Sequence, residues 1–82
     1  MTTTTYISTG KAPKLDELQH MVGGLIEVIE LSDGRQMVVN EEGLILGLPF
    51  NPEASALNAV YGNGQEYLAG NAVVLGGTAL LE

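Results

Sequence analysis

Residues 21–43 read MVGGLIEVIELSDGRQMVVNEEG, and the pattern inside this stretch decides the fold. A helix ends at Gly23-Gly24. Two apolar runs follow, Leu25 to Leu31 and Gln36 to Asn40, hinged at Asp33-Gly34. An Asp-Gly pair between apolar runs is a strong local signal for a β-hairpin, because both central residues of a type I′ turn need φ > 0. With Asp33 and Gly34 as the two loop residues, Ser32 faces Arg35, Glu30 faces Met37 and Val28 faces Val39. One face of the ribbon then carries Ile26, Val28, Met37 and Val39, and the other carries Leu25, Ile29, Leu31 and Val38.

Upstream of the hairpin, Pro13 suits the first turn of a helix, where its missing N–H costs nothing. Leu15, Leu18, Met21 and Val22 follow at helical spacing, with Asp16 and Glu17 near the positive end of the dipole. This predicts a helix over about 13–22, ended by Gly23. Thr2 to Ser8 is polar and β-branched, and suits either an edge strand or a frayed terminus. Residues 1–12 are thus an N-terminal arm.

Downstream, Asn40 to Gly43 is turn material, and Leu44-Ile45-Leu46 is expected as a third short strand. Asn51-Pro52-Glu53 is a helix start: the Asn51 side chain can accept from exposed amides and Pro52 fits the first position. The helix runs over about 52–61, with an apolar stripe of Ala54, Leu57, Val60 and Tyr61, and stops at Gly62 to Gly64. Gln65 to Ala69 and Ala72 to Leu75 read as two last strands around Gly70-Asn71. There is no internal repeat and no long linker, so the expectation is one α+β domain. It consists of a small antiparallel sheet on a central hairpin (about 25–40), with both short helices on one face.

Ten acidic residues stand against Lys11, Lys14 and Arg35 in 82 residues, a net charge of −7, and there is no cysteine. A chain this short buries only roughly 60–65% of its unfolded surface. So acidic a domain has no electrostatic footprint for nucleic acid, and direct binding to a phosphate backbone is not expected. The excess charge serves solubility, attracts basic proteins, or imitates nucleic acid. No apolar run is long enough for a bilayer, and Met1 followed by four threonines is no signal peptide. A soluble protein of the host-cell cytoplasm, without membrane contact, is expected.

No residue cluster forms a recognisable catalytic site. His20 is the sole histidine, and a metal site would have to join it to Asp16 or Glu17; a solvated helix surface is the simpler reading. Ser8, Ser32 and Ser55 lack a strained elbow, and Glu27 and Glu30 fall on opposite faces of a strand. No catalytic residue, metal or cofactor is therefore assigned, and enzyme activity is not expected. For a ligand, the candidate contacts are Arg35, Asn40, Asn51, Tyr61 and Tyr67. Arg35 is the one cation of the hairpin, and could equally be a solvated turn residue. The two tyrosines flank the Gly62–Gly64 turn and could present rings to a planar ligand or fill the core.

From Leu15 onward the chain resembles a small family of unknown function carried by phages, prophages and plasmids. Residues Leu15 to Val28 resemble its "LxxLQxxVGGYIEVV" block. Asn40-Glu41-Glu42-Gly43, Gly47-Leu48-Pro49 and Asn51 resemble its "NEEGxLxGLPxN" block, and Gly70 to Gly76 its "xGxxVVLG" block. Leu25 departs from the usual tyrosine, and Leu44 to Leu46 is greasier than usual. The resemblance implies a mobile-element origin and carries no catalytic residues onto this chain.

Two short helices can cover only one of two apolar hairpin faces, and Leu44, Ile45, Leu46, Leu48, Phe50, Leu80 and Leu81 also need cover. A homodimer at least is expected. The functional expectation is a counter-defence inhibitor that binds a host protein through an apolar edge and acidic rim. An oligomeric sponge for a small-molecule nucleotide signal is the alternative. An acidic nucleic-acid mimic and a purely structural accessory protein are the remaining readings.

Overall fold

The computed structural model describes residues 1–81. In chain order the elements are β1 (Thr4–Ile7), α1 (Leu15–Val22), β2 (Ile26–Glu30), β3 (Gln36–Asn40), α2 (Pro52–Tyr61) and β4 (Ala72–Leu75), then a 3-10 turn at Gly77–Ala79. Four strands form one sheet in the order β1-β4-β3-β2, flanked by the two helices, an α+β fold. Both expected helices and the hairpin are present, and the N-terminal arm contributes an edge strand. No helix among the described residues is long and apolar enough to cross a membrane.

The sheet is mixed, not antiparallel: β1 runs parallel to β4, pairing Thr4 with Ala72 through Ile7 with Leu75. Nor is the hairpin central. Its second strand lies inside the sheet and its first, β2, forms an edge. The inner position goes to β4 because Ala-Val-Val-Leu is apolar on both faces, and all four residues are buried. A strand with no polar face is stable only between neighbours and between layers.

The hairpin register differs by one residue from the expected one. Val28 pairs with Val38, Ile29 with Met37 and Glu30 with Gln36. The Leu31 N–H donates to the Arg35 carbonyl (2.8 Å), leaving Ser32, Asp33 and Gly34 as a three-residue loop. Inside it the Gly34 N–H donates to the Leu31 carbonyl (3.0 Å), and Gly34 takes φ +93°. A type I′ turn would need positive φ at Asp33 as well, and no non-glycine residue described here adopts it. A turn followed by one left-handed glycine avoids that steric cost.

A one-residue slip exchanges the faces of one strand against its partner. Val38 therefore joins Val73, Leu75 and the partly buried Ile26 beneath α1, whose Leu18 and Val22 complete the first core cluster. Met37 and Val39 join Ile29, Leu31, Ala72 and Val74 beneath α2, with Ala54 and the partly buried Leu57. The helices thus lie on opposite faces, not on one. The bare sheet face on which the expectation of a dimer partly rested does not exist.

Three local readings also change. Leu44-Ile45-Leu46 is a tight succession of turns, not a strand: Leu46 N–H donates to Glu42 O (2.9 Å) and Leu48 N–H to Gly43 O (3.0 Å). Residues 65–69 contribute a single bridge, Phe50 with Ala69, instead of a strand. In α2 the apolar stripe fails: Val60 and Tyr61 are exposed, while Ser55 and Asn58 are buried. Those polar side chains tie down the following loop. Ser55 Oγ accepts from Leu68 N–H (2.8 Å), and the Asn58 amide donates to Gln65 O (3.1 Å) and accepts from Asn63 N–H (3.0 Å). A loop without ladder partners must satisfy its backbone somewhere, and here the helix supplies the groups.

Candidate functional site

The five residues singled out as ligand contacts fall into three places: Arg35 lies beside Tyr61, Asn40 and Tyr67 line one cleft, and Asn51 is buried at the start of α2. Arg35 and Asn40 bracket β3, roughly 16 Å apart at the rise of a strand. Arg35 lies with its guanidinium 5.7 Å from the centre of the Tyr61 ring and is paired to Asp33 at 2.7 Å. That pairing, through a hydrogen bond from Arg35, holds the Asp33 carboxyl below its ordinary value. Nearby on β1, Tyr6 donates its hydroxyl to the Glu53 carboxylate of α2. This hydrogen bond, with partial burial second, raises the Tyr6 pKa. The corner is an arginine already carrying a counter-ion, not a free cation awaiting an anion.

Asn51 and Asn40 are committed to the fold. Asn51 is 1% exposed; its Oδ1 accepts from Ala54 N–H (3.0 Å), capping α2, and its Nδ2 donates to Gly70 O (2.9 Å) and Thr4 Oγ1 (3.1 Å). Asn40 is also buried, donating to Val22 O (3.1 Å) and accepting from Glu42 N–H (2.8 Å). It thereby fastens the end of α1 to the turn after β3. These amides have the bonds a ligand would ask for already in use. His20 is exposed on α1, and no group of three or more His, Asp or Glu among the described residues is placed to hold a metal ion.

What the chain does gather is an exposed apolar surface on the 41–50 loop. Leu44, Ile45 and Leu46 are 67%, 84% and 55% exposed. Next to them the Phe50 and Tyr67 rings meet at 4.9 Å between centres, tilted by 35°, and both remain about half exposed. Leu44, Ile45 and Tyr67 share a cleft of about 220 Å³ with Glu27, Glu41 and Gln65. Glu42 and Glu66 are exposed close by in sequence, so the rim is acidic. The surface has a rigid base. A Cβ on Gly43 would stand 2.7 Å from the Ala69 carbonyl, so only glycine lets the 41–47 turn pack against residue 69.

Sequence reading found the apolar residues but placed them in a strand. The signal that could have separated the two is the pair of glycines, Gly43 and Gly47, bracketing only three apolar residues. Gly47 indeed takes φ +68°, closing the turn.

No curated protein and no solved structure matches the chain. The sequence model of one family, described as a domain of unknown function (DUF3846), matches residues 2–79, and the chain belongs to that family.

Proposed function

We propose that this DUF3846 chain is a non-enzymatic protein-binding module, which docks a partner carrying an apolar surface edged with basic residues. The observation that supports this reading most is the exposed apolar run Leu44-Ile45-Leu46, with the Phe50–Tyr67 pair beside it and carboxylates around it. Isolated exposed apolar side chains are ordinary, whereas a contiguous group with a polar rim marks an interaction surface. The net charge of −7 favours a basic partner and repels a second copy presenting the same rim. The likeness of its sequence blocks to proteins of phages, prophages and plasmids supplies the setting: in the host cytoplasm the partner is a host factor, and binding blocks it. A sponge for a small-molecule signal finds less support, since Arg35, Asn51 and Tyr67 do not converge within one chain.

The test compares the native chain with Ile45→Lys in pull-downs from extract of infected host. The expected result is a stoichiometric protein retained by the native chain and lost by the variant, with host resistance restored when the variant replaces the native gene. Equal retention by both chains, or a small-molecule adduct in native mass spectrometry with no protein bound, overturns the proposal.

A further inference from the structure

The sheet ends on β2, and the outer edge of this strand is open. The register fixes which backbone groups face outward. Leu31 N–H donates to Arg35 and Glu41 N–H donates to Leu25, so residues 25, 27, 29 and 31 turn their backbone groups toward β3. In an antiparallel ladder the alternate residues turn theirs away. The N–H and C=O groups of Ile26, Val28 and Glu30 therefore point out of the sheet, and no hydrogen bond from the described residues reaches them.

Edges of this kind are usually blunted, and the blunting here has one sign. Glu27 and Glu30 are exposed on opposite faces of the strand, with Val28 38% exposed between them. Glu27 also lines the cleft below Leu44 and Ile45, so the open edge runs directly into the apolar surface.

We infer that β2 accepts an extended segment of the partner as a fifth strand of the sheet. That segment mixes β-branched and basic residues, the basic ones beside Glu27 and Glu30 and an apolar one entering the cleft. The inference rests on the protein-binding reading above and specifies its mode. Backbone pairing supplies affinity and the alternating side chains supply selectivity, as in strand addition generally. A second copy fits poorly, because a β2–β2 seam would bring four carboxylates together without a cation.

The test uses the native chain and a blocked synthetic peptide of about nine residues. It is rich in valine with two lysines three positions apart, so that one reaches Glu27 and the other Glu30 on opposite faces. Hydrogen exchange is followed by NMR at low salt. Binding is expected to slow exchange at Ile26, Val28 and Glu30 by roughly tenfold or more, while a copy N-methylated at alternate residues leaves them unchanged. Failure of the plain peptide to protect these amides, or equal protection by the methylated one, overturns strand addition. Protection that rises with protein concentration alone, together with a dimer mass, overturns it in favour of a second copy.

Two variants separate this inference from the reading beneath it. Val28→Pro removes an outward donor, which an edge strand tolerates; Ile45→Lys alters only the apolar surface. Loss of the host partner with both supports strand addition. Loss with Ile45→Lys alone, in a folded Val28→Pro chain, leaves protein binding in place and ends the strand-addition inference. Retention by both ends the two together.

Discussion

Asn51 was legible as a helix start, because a side-chain acceptor followed by proline and glutamate serves the exposed amides of a first turn. Its other two bonds, to Gly70 and Thr4, were not legible, since both partners are distant in sequence. Asn51→Ala removes the cap and leaves the Gly70 carbonyl buried without its donor. A loss of about 2–3 kcal/mol is expected in urea unfolding. Ser55 and Asn58 were missed for a related reason: helical periodicity tracks apolar residues, and these two earn burial through hydrogen bonds to a loop. A pH prediction follows from Tyr6. The fold raises its pKa above the ordinary 10.0, with the hydrogen bond to Glu53 as the main cause. The protonated phenol is thus the form the fold favours. Its contribution is full below the ordinary value and fades as pH rises through the raised one. In Glu53→Gln, tyrosinate absorbance should assign Tyr6 a lower pKa than in the native chain; an unchanged titration would show the carboxylate is not the cause.

At the scale of elements, the hairpin carries both the success and the main failure of sequence reading. Two apolar runs about Asp33-Gly34 predict its existence, but the dipeptide alone does not decide between a two- and a three-residue loop. That choice depends on whether Asp33 accepts positive φ and on which faces of β3 find apolar cover. Both are tertiary questions. The observed answer makes a strong prediction. Deleting Ser32 leaves Asp33 and Gly34 as a two-residue loop between the still-paired Leu31 and Arg35, so Met37 and Val39 stay beneath α2 and Val38 stays beside Val73. The deletion should keep cooperative unfolding and the dispersion of amide proton shifts, at a cost of about 1–2 kcal/mol because Asp33 must then take positive φ. Lost dispersion would show that the register depends on loop length. A milder change, Gly34→Ala, places a Cβ at φ +93° and should cost about 1 kcal/mol without altering the register. The one-face expectation for the helices failed likewise: sequence reveals that β4 is apolar on both sides, but not that it is threaded between β1 and β3.

For the whole molecule, the sequence made apparent that apolar surface was left over, but located the excess on the sheet. With a helix on each face, the sheet is covered, and the excess sits at Leu44, Ile45, Leu46 and Phe50. Ile45 is 84% exposed, so Ile45→Lys should change stability by no more than about 0.5 kcal/mol. Any loss of binding would then be a loss of surface, not of fold. The two possible occupants of that surface respond oppositely to salt. A basic partner is drawn by an acidic rim, and screening weakens the attraction. A second copy carries another −7, and screening removes a repulsion while leaving apolar contact intact. Raising salt from about 0.05 to 0.5 M shortens the Debye length severalfold. Over that range, sedimentation of the chain alone should show monomer throughout, and affinity for the host partner should fall. A dimer that strengthens with salt would identify a second copy as the occupant and return the molecule to the self-association its composition first suggested.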